Sequence, residues 1–262
     1  MDGERALEYR FVVERTVGEE VLRRAADHLA PDVHAPEQPV AYRRTLYLDS
    51  DEGLFLRTFK SGASACRARI RQYAAAGDRG SEARITGSSG WLEHKRSSGL
   101  EREKRRLELA TGDLCALLAG EPIVDTRLAA VPVLAEVASG VARGELRPCL
   151  LTWYRRWSLG RAPLRITLDE GIAYCVPEPP LAAGERAEPA AIVARDLLAV
   201  LEVKVSGATP GWLESELADL GGHLALRHSK FRAGMEALRQ GLPSSARNNR
   251  KFARADSPPV TG

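Results

Sequence analysis

The run Ala65-Cys66-Arg67-Ala68-Arg69-Ile70-Arg71-Gln72-Tyr73 alternates without a break. In an extended chain successive side chains point to opposite faces, so Arg67, Arg69 and Arg71 share one face while Cys66, Ala68 and Ile70 share the other. Period two of this length predicts a strand and not an amphipathic helix. Its polar face is unusual, because three guanidinium groups follow one another with no carboxylate between them.

Working outward, the same period recurs in Leu7 to Val13, Tyr42 to Leu48, Gly90 to Arg96, Arg102 to Leu109, Leu150 to Ser158, Pro163 to Asp169, Ile172 to Val176 and Ala199 to Val205. Helical spacing of apolar residues predicts helices over Val17 to Leu29, Asp113 to Leu118, Asp125 to Leu146 with breaks near Pro132 and Gly140, Pro210 to Leu220, and Ser229 to Gln240. Ala74 to Ser89 and Pro177 to Pro189, rich in Gly, Ala, Pro and Ser, read as long loops. Many strands and few intervening helices, with no internal repeat, favour an α+β chain that is mainly antiparallel sheet or barrel. One domain over residues 1–240 is expected, followed by a disordered tail over 241–262, where Pro, Ser, Asn and Arg replace apolar residues.

Bulk composition excludes several classes. A net charge of +3 is too small to argue for nucleic-acid coating or attachment to a membrane surface. The four cysteines show no CxxC pair, so free thiols are expected, and the five histidines form no HExxH. No stretch approaches the ~18–20 apolar residues of a membrane span, and the first residues lack an apolar signal core, so a cytoplasmic location is expected. There is no GxxxxGK[ST] phosphate loop.

The charged faces therefore carry the functional signal. Besides the three arginines, one strand face pairs Glu8 with Arg10, another Glu93 with Lys95, another Arg102 with Lys104 and Arg106; Tyr154 with Arg156, Arg165 with Thr167 and Asp169, and Glu202 with Lys204 follow. If helices cover the apolar backs, these faces either meet water or meet one another inside a barrel. A cation-lined interior repels itself when empty, because like charges cost far more in a reduced dielectric, and it makes sense around an anion. Solvated faces laced by cross-strand salt bridges explain the alternation equally well, and Glu202 with Lys204 could simply be such a pair. His94, His223 and His228 read as packing, capping or surface residues, and Trp91, Trp153, Trp157 and Trp212 as core or helix-packing residues.

The order of short motifs goes further. Glu8-x-Arg10-Phe11, Tyr47-Leu48-Asp49-Ser50, Arg67-x-Arg69-Ile70-Arg71, Leu92-Glu93-His94-Lys95, Glu103-Lys104-Arg105-Arg106, Tyr154-x-Arg156, Arg165-Ile166-Thr167-Leu168-Asp169, Leu201-Glu202-Val203-Lys204 and Ser229-Lys230-Phe231 resemble, in sequence order, the VTC domain. That is the polyphosphate-polymerase branch of the triphosphate tunnel metalloenzymes, relatives of the CYTH phosphatases. The resemblance runs from Glu8 to about Leu238. It implies a closed eight-stranded antiparallel tunnel with flanking helices, ATP and polyphosphate as substrates, and Mn²⁺ or Mg²⁺ as cofactor.

Carried over by position, Arg69, Arg71, Lys95, Arg156 and Arg165 are the expected catalytic cations. Arg10, Arg67, Lys104, Arg106, Tyr154, Lys204, Ser229 and Lys230 are expected to bind phosphate, and Glu202, Glu8 and Glu93 to hold metal. Arg10 stands where many members have lysine. The SPX domain and membrane segments of the eukaryotic transporter-chaperone subunits have no counterpart in this sequence, so inositol-pyrophosphate regulation and coupled translocation are not expected. Transfer of the γ-phosphate of ATP to a growing polyphosphate is the leading expectation. A metal-dependent tripolyphosphatase or nucleoside triphosphatase and a non-catalytic polyphosphate-binding module are the alternatives, and no nucleic-acid partner is expected.

Overall fold

The computed structural model describes residues 7–31, 40–61, 65–76, 82–98, 101–123, 125–221 and 228–241, so the tail beyond 241 and His223 lie outside the described residues. The elements in chain order are β1 Leu7–Val13, α1 Arg15–Ala25, β2 Val40–Asp49, α2 Leu54–Ser61, β3 Ala65–Ala76, β4 Ala83–Ile85, β5 Ser89–Ser98, β6 Glu101–Ala110, α3 Thr111–Leu118, α4 Thr126–Ala129 and α5 Pro132–Ala142. β7 Arg147–Arg161, β8 Leu164–Cys175, β9 Ile192–Arg195, β10 Ala199–Val205, α6 Gly211–Asp219 and α7 Lys230–Gly241 complete them.

One antiparallel sheet holds the molecule together, in the order β1-β10-β8-β7-β2-β3-β5-β6, with β4 added to β3 and β9 to β8. Apolar residues of its convex side build two separate cores. Leu46, Ile70, Leu92, Leu109 and Leu151 pack under Leu114 and Leu117 of α3 and Leu134 and Val137 of α5. Phe11, Ile166, Leu168, Leu201 and Val203 pack under Val21 and Leu22 of α1 and Leu213 of α6. A third cluster lies on the concave side, where Phe231 and Leu238 of α7 cover Tyr47, Leu150, Tyr154, Ile172 and Tyr174. Helices thus take the apolar backs, and the polar faces are left to meet each other.

They do meet. Lys95 of β5 is within electrostatic reach of Lys204 and Glu202 of β10, and Arg67 of β3 within reach of Arg10 of β1, although many strands separate them along the hydrogen-bonded order. The sheet is therefore strongly curled. It is not the closed eight-stranded barrel expected from the sequence: among the described residues the path ends at β1 and β6, with no ladder between them. The physical reason is legible in β6. Glu101 to Arg106 carries charge at every position, on both faces, before Leu107 and Leu109 supply an apolar side, and a strand charged on both faces is an edge.

Two other differences concern local geometry. The expected strands at Pro163 to Asp169 and Ile172 to Val176 are one strand, β8, whose register against β7 shifts between Trp153 and Arg155. Gly171, at φ +60°, takes up the extra residue, so Asp169 and Ile172 face the same side despite their odd spacing. Helix α2, absent from the sequence reading, is capped by Asp49, whose carboxylate accepts from the amides of Phe55 and Leu56 at 2.8 and 3.1 Å. The break expected at Pro132 is present, whereas Gly140 lies within α5, where a side chain would crowd Leu146 at 3.2 Å.

Candidate functional site

Alternation and register fix which side chains line the concave face. From β3 come Arg67, Arg69, Arg71 and Tyr73; opposite them on β5 stand Lys95, Glu93 and Trp91. Lys104 and Arg106 of β6 face Lys95 and Glu93. Arg43 and Thr45 of β2 oppose Tyr73 and Arg71, and Arg156 of β7 opposes Asp169 of β8. Arg165 of β8 opposes Lys204 of β10, and Glu8 and Arg10 of β1 oppose Lys204 and Glu202. Every residue expected at the site belongs to this face or, for Ser229 and Lys230, to the start of α7, which covers it.

Four carboxylates on this face, Glu8, Glu93, Asp169 and Glu202, are engaged by cations. Glu93, fully buried, receives Arg69 at 2.6 Å, Lys104 at 2.9 Å and Arg71 at 3.7 Å. Asp169 receives both prongs of Arg156, the second at 2.6 Å, and Lys230 at 2.6 Å. Glu202 receives Arg10 at 3.0 Å and Lys204 at 2.9 Å, and Glu8 is bonded by Arg10 with Lys204 at 3.9 Å. Burial opposes ionisation of these acids, but the neighbouring cations outweigh it and hold Glu93 and Glu202 well below the carboxylate range and Asp169 down to about 2.

The cations have the opposite problem. Burial, reinforced by Arg67, Lys204 and Arg69, pushes the Lys95 ammonium down to about 7. Burial and then Arg156 push Arg43 down to about 10. These two shifts reflect burial first and neighbouring positive charge second, whereas Arg71 and Arg156, beside Glu93 and Asp169, are shifted upward. Burial raises the Tyr154 phenol, yet Arg156, Arg71 and Lys230 outweigh it and the net shift is downward. Lys230 and Arg156 also sit over the Tyr154 ring, at 5.0 and 5.6 Å. Arg156, Arg165, Thr167, Glu202 and Lys204 line a small cleft.

Ser229, buried, caps α7, its hydroxyl accepting from the Arg232 amide at 3.5 Å. Sequence reading left out Arg43, and it placed Asp169 on a charged face without giving it a role. Both stand at inward positions of alternating strands, which was the available signal. His228 is neither a cap nor a surface residue: its carbonyl accepts from Arg10, and its half-buried imidazole is pushed down to about 4 by burial, Lys230 and Arg10. Among the described residues Trp91 joins no apolar cluster; it lies on the concave face beneath the Arg106 guanidinium, 4.4 Å away. Trp153, Trp157 and Trp212 pack in or against the convex cores, and His94 is buried on that side.

Among the described residues no three His, Cys, Asp or Glu side chains gather as a ready-made metal cage. Glu8 and Glu202, which share Arg10 and Lys204, supply two hard oxygen donors together, and Mg²⁺ is commonly held by one or two carboxylates with phosphate oxygens completing its shell. The donor set thus suits Mg²⁺ or Mn²⁺ alongside a triphosphate. Glu93 stands apart from that pair, enclosed by Arg69, Arg71 and Lys104.

A curled antiparallel sheet whose concave face is lined with arginine and lysine, interspersed with ion-paired acids, has the chemistry of a polyanion-binding surface. The VTC domain model matches residues 5–239, and the chain belongs to that family. No curated protein matches the chain. Among solved structures, a candidate adenylate cyclase from Bacillus halodurans superposes with a TM-score of 0.50 at 14% identity, over 89% of this chain and 98% of its own. A candidate adenylate cyclase from Vibrio parahaemolyticus gives 0.42 at 9% identity, over 88% and 99%. PH1819 from Pyrococcus horikoshii OT3 gives 0.40 at 13%, over 88% and 98%. The likeness to the Bacillus halodurans protein is one of fold. No helix among the described residues is long and apolar enough to cross a membrane.

Proposed function

We propose that this chain is a polyphosphate polymerase that transfers the γ-phosphate of ATP to the end of a growing polyphosphate held on the concave basic face. Arg69, Arg71, Lys95, Arg156 and Arg165 bind the β- and γ-phosphates, with Arg10, Arg67, Lys104, Arg106, Lys204 and Lys230 extending the track for the chain. Phosphoryl transfer asks a protein chiefly for alignment and neutralisation of charge, which such a lining supplies without a nucleophilic side chain. A terminal oxygen of the polyphosphate forms the new bond to the γ-phosphorus, the bond from that phosphorus to the β–γ bridging oxygen breaks, and ADP leaves. Glu202 and Glu8 would hold Mn²⁺ or Mg²⁺, whose charge supports the bridging region of the triphosphate.

The observation that carries the choice of acceptor is the state of the acids. Glu93 and Asp169 each meet at least two cations, and Glu8 and Glu202 are the acids assigned to the metal, so this reading leaves none of the four as a base for water. A terminal phosphate is already anionic and needs no base, whereas hydrolysis needs water deprotonated. Incubation with γ-labelled ATP, a short polyphosphate primer and Mn²⁺ tests this: label should enter a ladder of chains. Free phosphate with no ladder would make the chain a tripolyphosphatase or nucleoside triphosphatase, and binding without turnover would make it a binding module.

A further inference from the structure

We propose that Trp91 and Tyr73 form a nucleobase-stacking subsite beside Arg71, which makes a nucleotide the preferred triphosphate over an inorganic chain. The inference deepens the function proposed above and rests on it. All the other tryptophans and tyrosines of the sequence pack in or against one of the three apolar clusters; Trp91 and Tyr73 join none of them. They are half-buried on the basic face, where a bare phosphate chain has no use for a ring. Each ring instead lies under a guanidinium, Trp91 under Arg106 and Tyr73 under Arg43, both at 4.4 Å.

Their placement suits a base. Trp91 is the direct cross-strand partner of Arg71, and Tyr73 lies two residues farther along the same face, roughly 7 Å on. Phosphates on Arg71 and Arg69 would leave the sugar and base directed along this margin, a separation that a ribose bridges. Bases stack on aromatic rings and equally on the planes of arginine guanidinium groups. Two ring-and-guanidinium stacks at the end of a phosphate track therefore present flat, cationic surfaces of the kind a purine covers, and their rings give no advantage to inorganic tripolyphosphate.

Affinities of ATP and of inorganic tripolyphosphate, each with Mg²⁺, measured calorimetrically on the wild type, Trp91→Leu, Trp91→Phe and Tyr73→Leu, test this. Loss of one stack should weaken ATP about tenfold, leave tripolyphosphate within about twofold, and be largely restored in Trp91→Phe, with far-ultraviolet circular dichroism confirming the fold of each variant. Equal losses for both ligands, or unchanged ATP affinity, would overturn the subsite. Wild-type protein that binds tripolyphosphate as tightly as ATP would overturn the subsite alone, whereas wild-type protein that binds neither would overturn the phosphate-transfer reading with it.

Discussion

Arg156 and Asp169 stand directly opposite each other on β7 and β8 and form a two-pronged ion pair, which Lys230 of α7 joins at 2.6 Å. The strand wall and the covering helix are thereby tied together at a buried carboxylate. Asp169→Asn leaves two cations facing each other without their counter-charge. Removal of one partner of a buried pair costs about 3–5 kcal/mol, so the melting temperature should fall by several degrees. Added tripolyphosphate should recover more of that loss than it adds to the wild type, since its oxygens restore the missing negative charge. Thermal melts with and without ligand measure both effects.

Lys95 gives the binding its pH dependence. Its folded value, about 7, lies below the ordinary lysine value of 10.5, so it is partly neutral in the free protein at neutral pH. A bound polyanion favours the ammonium and draws in a proton, and affinity for tripolyphosphate should fall as pH rises from about 7 to 9. Lys95→Met should flatten that slope. The stability linkage has the opposite sense: between about 7 and 10.5 the unfolded chain holds the extra proton, so this residue's contribution makes the fold more stable as pH rises through that window. Calorimetry in buffers of different ionisation enthalpy counts the protons taken up.

Arg43 and Arg44 are neighbours in sequence and opposites in role. Arg43 is on the concave face over Tyr73, whereas Arg44 is buried on the convex side against Glu178 of the loop after β8, at 2.9 Å. Arg43→Gln should weaken tripolyphosphate binding about tenfold or more, the worth of a charge-assisted hydrogen bond. Arg44→Met should leave binding unchanged, its side chain packing beside Leu46 and Ile70. Binding isotherms on the pair of variants compare the two faces directly.

How much of this was readable beforehand depends on which residues set the geometry. Strict alternation exposed Arg67, Arg69 and Arg71, and the Tyr154-x-Arg156 and Glu202-x-Lys204 pairs, because a strand with one apolar back leaves no choice of face. Arg43 was harder, since two adjacent arginines in Tyr42 to Leu48 conform to no distinct motif. The continuity of β8 was hidden because one residue, Gly171, reverses the parity of the strand. Helix α2 was hidden because it is short, Leu54–Ser61, and its first amides are capped from outside the helix by Asp49. The open seam was written in the charges of Glu101 to Arg106 but was read as a tunnel wall.

Gly234 brings α7 tight against the sheet. A methyl group there would lie 2.6 Å from Leu150 Cδ2 and 2.7 Å from Tyr174 Cδ1, and Tyr174 is anchored through its hydroxyl to Asp196 at 2.6 Å. Gly234→Ala should destabilise the fold by about 1–3 kcal/mol through overpacking. By lifting the helix that carries Lys230, it should also weaken tripolyphosphate binding, which denaturant melts and isotherms on the same sample would separate.

The most direct test of the central claim is the affinity of inorganic tripolyphosphate for Arg69→Gln and Arg165→Gln, beside the exposed control Arg143→Gln, whose side chain pairs with Glu145 on the surface. The concave face predicts at least about tenfold weaker binding in the first two and wild-type binding in the control. Equal affinities in all three would contradict it, and phosphate would then have to be held elsewhere on the molecule.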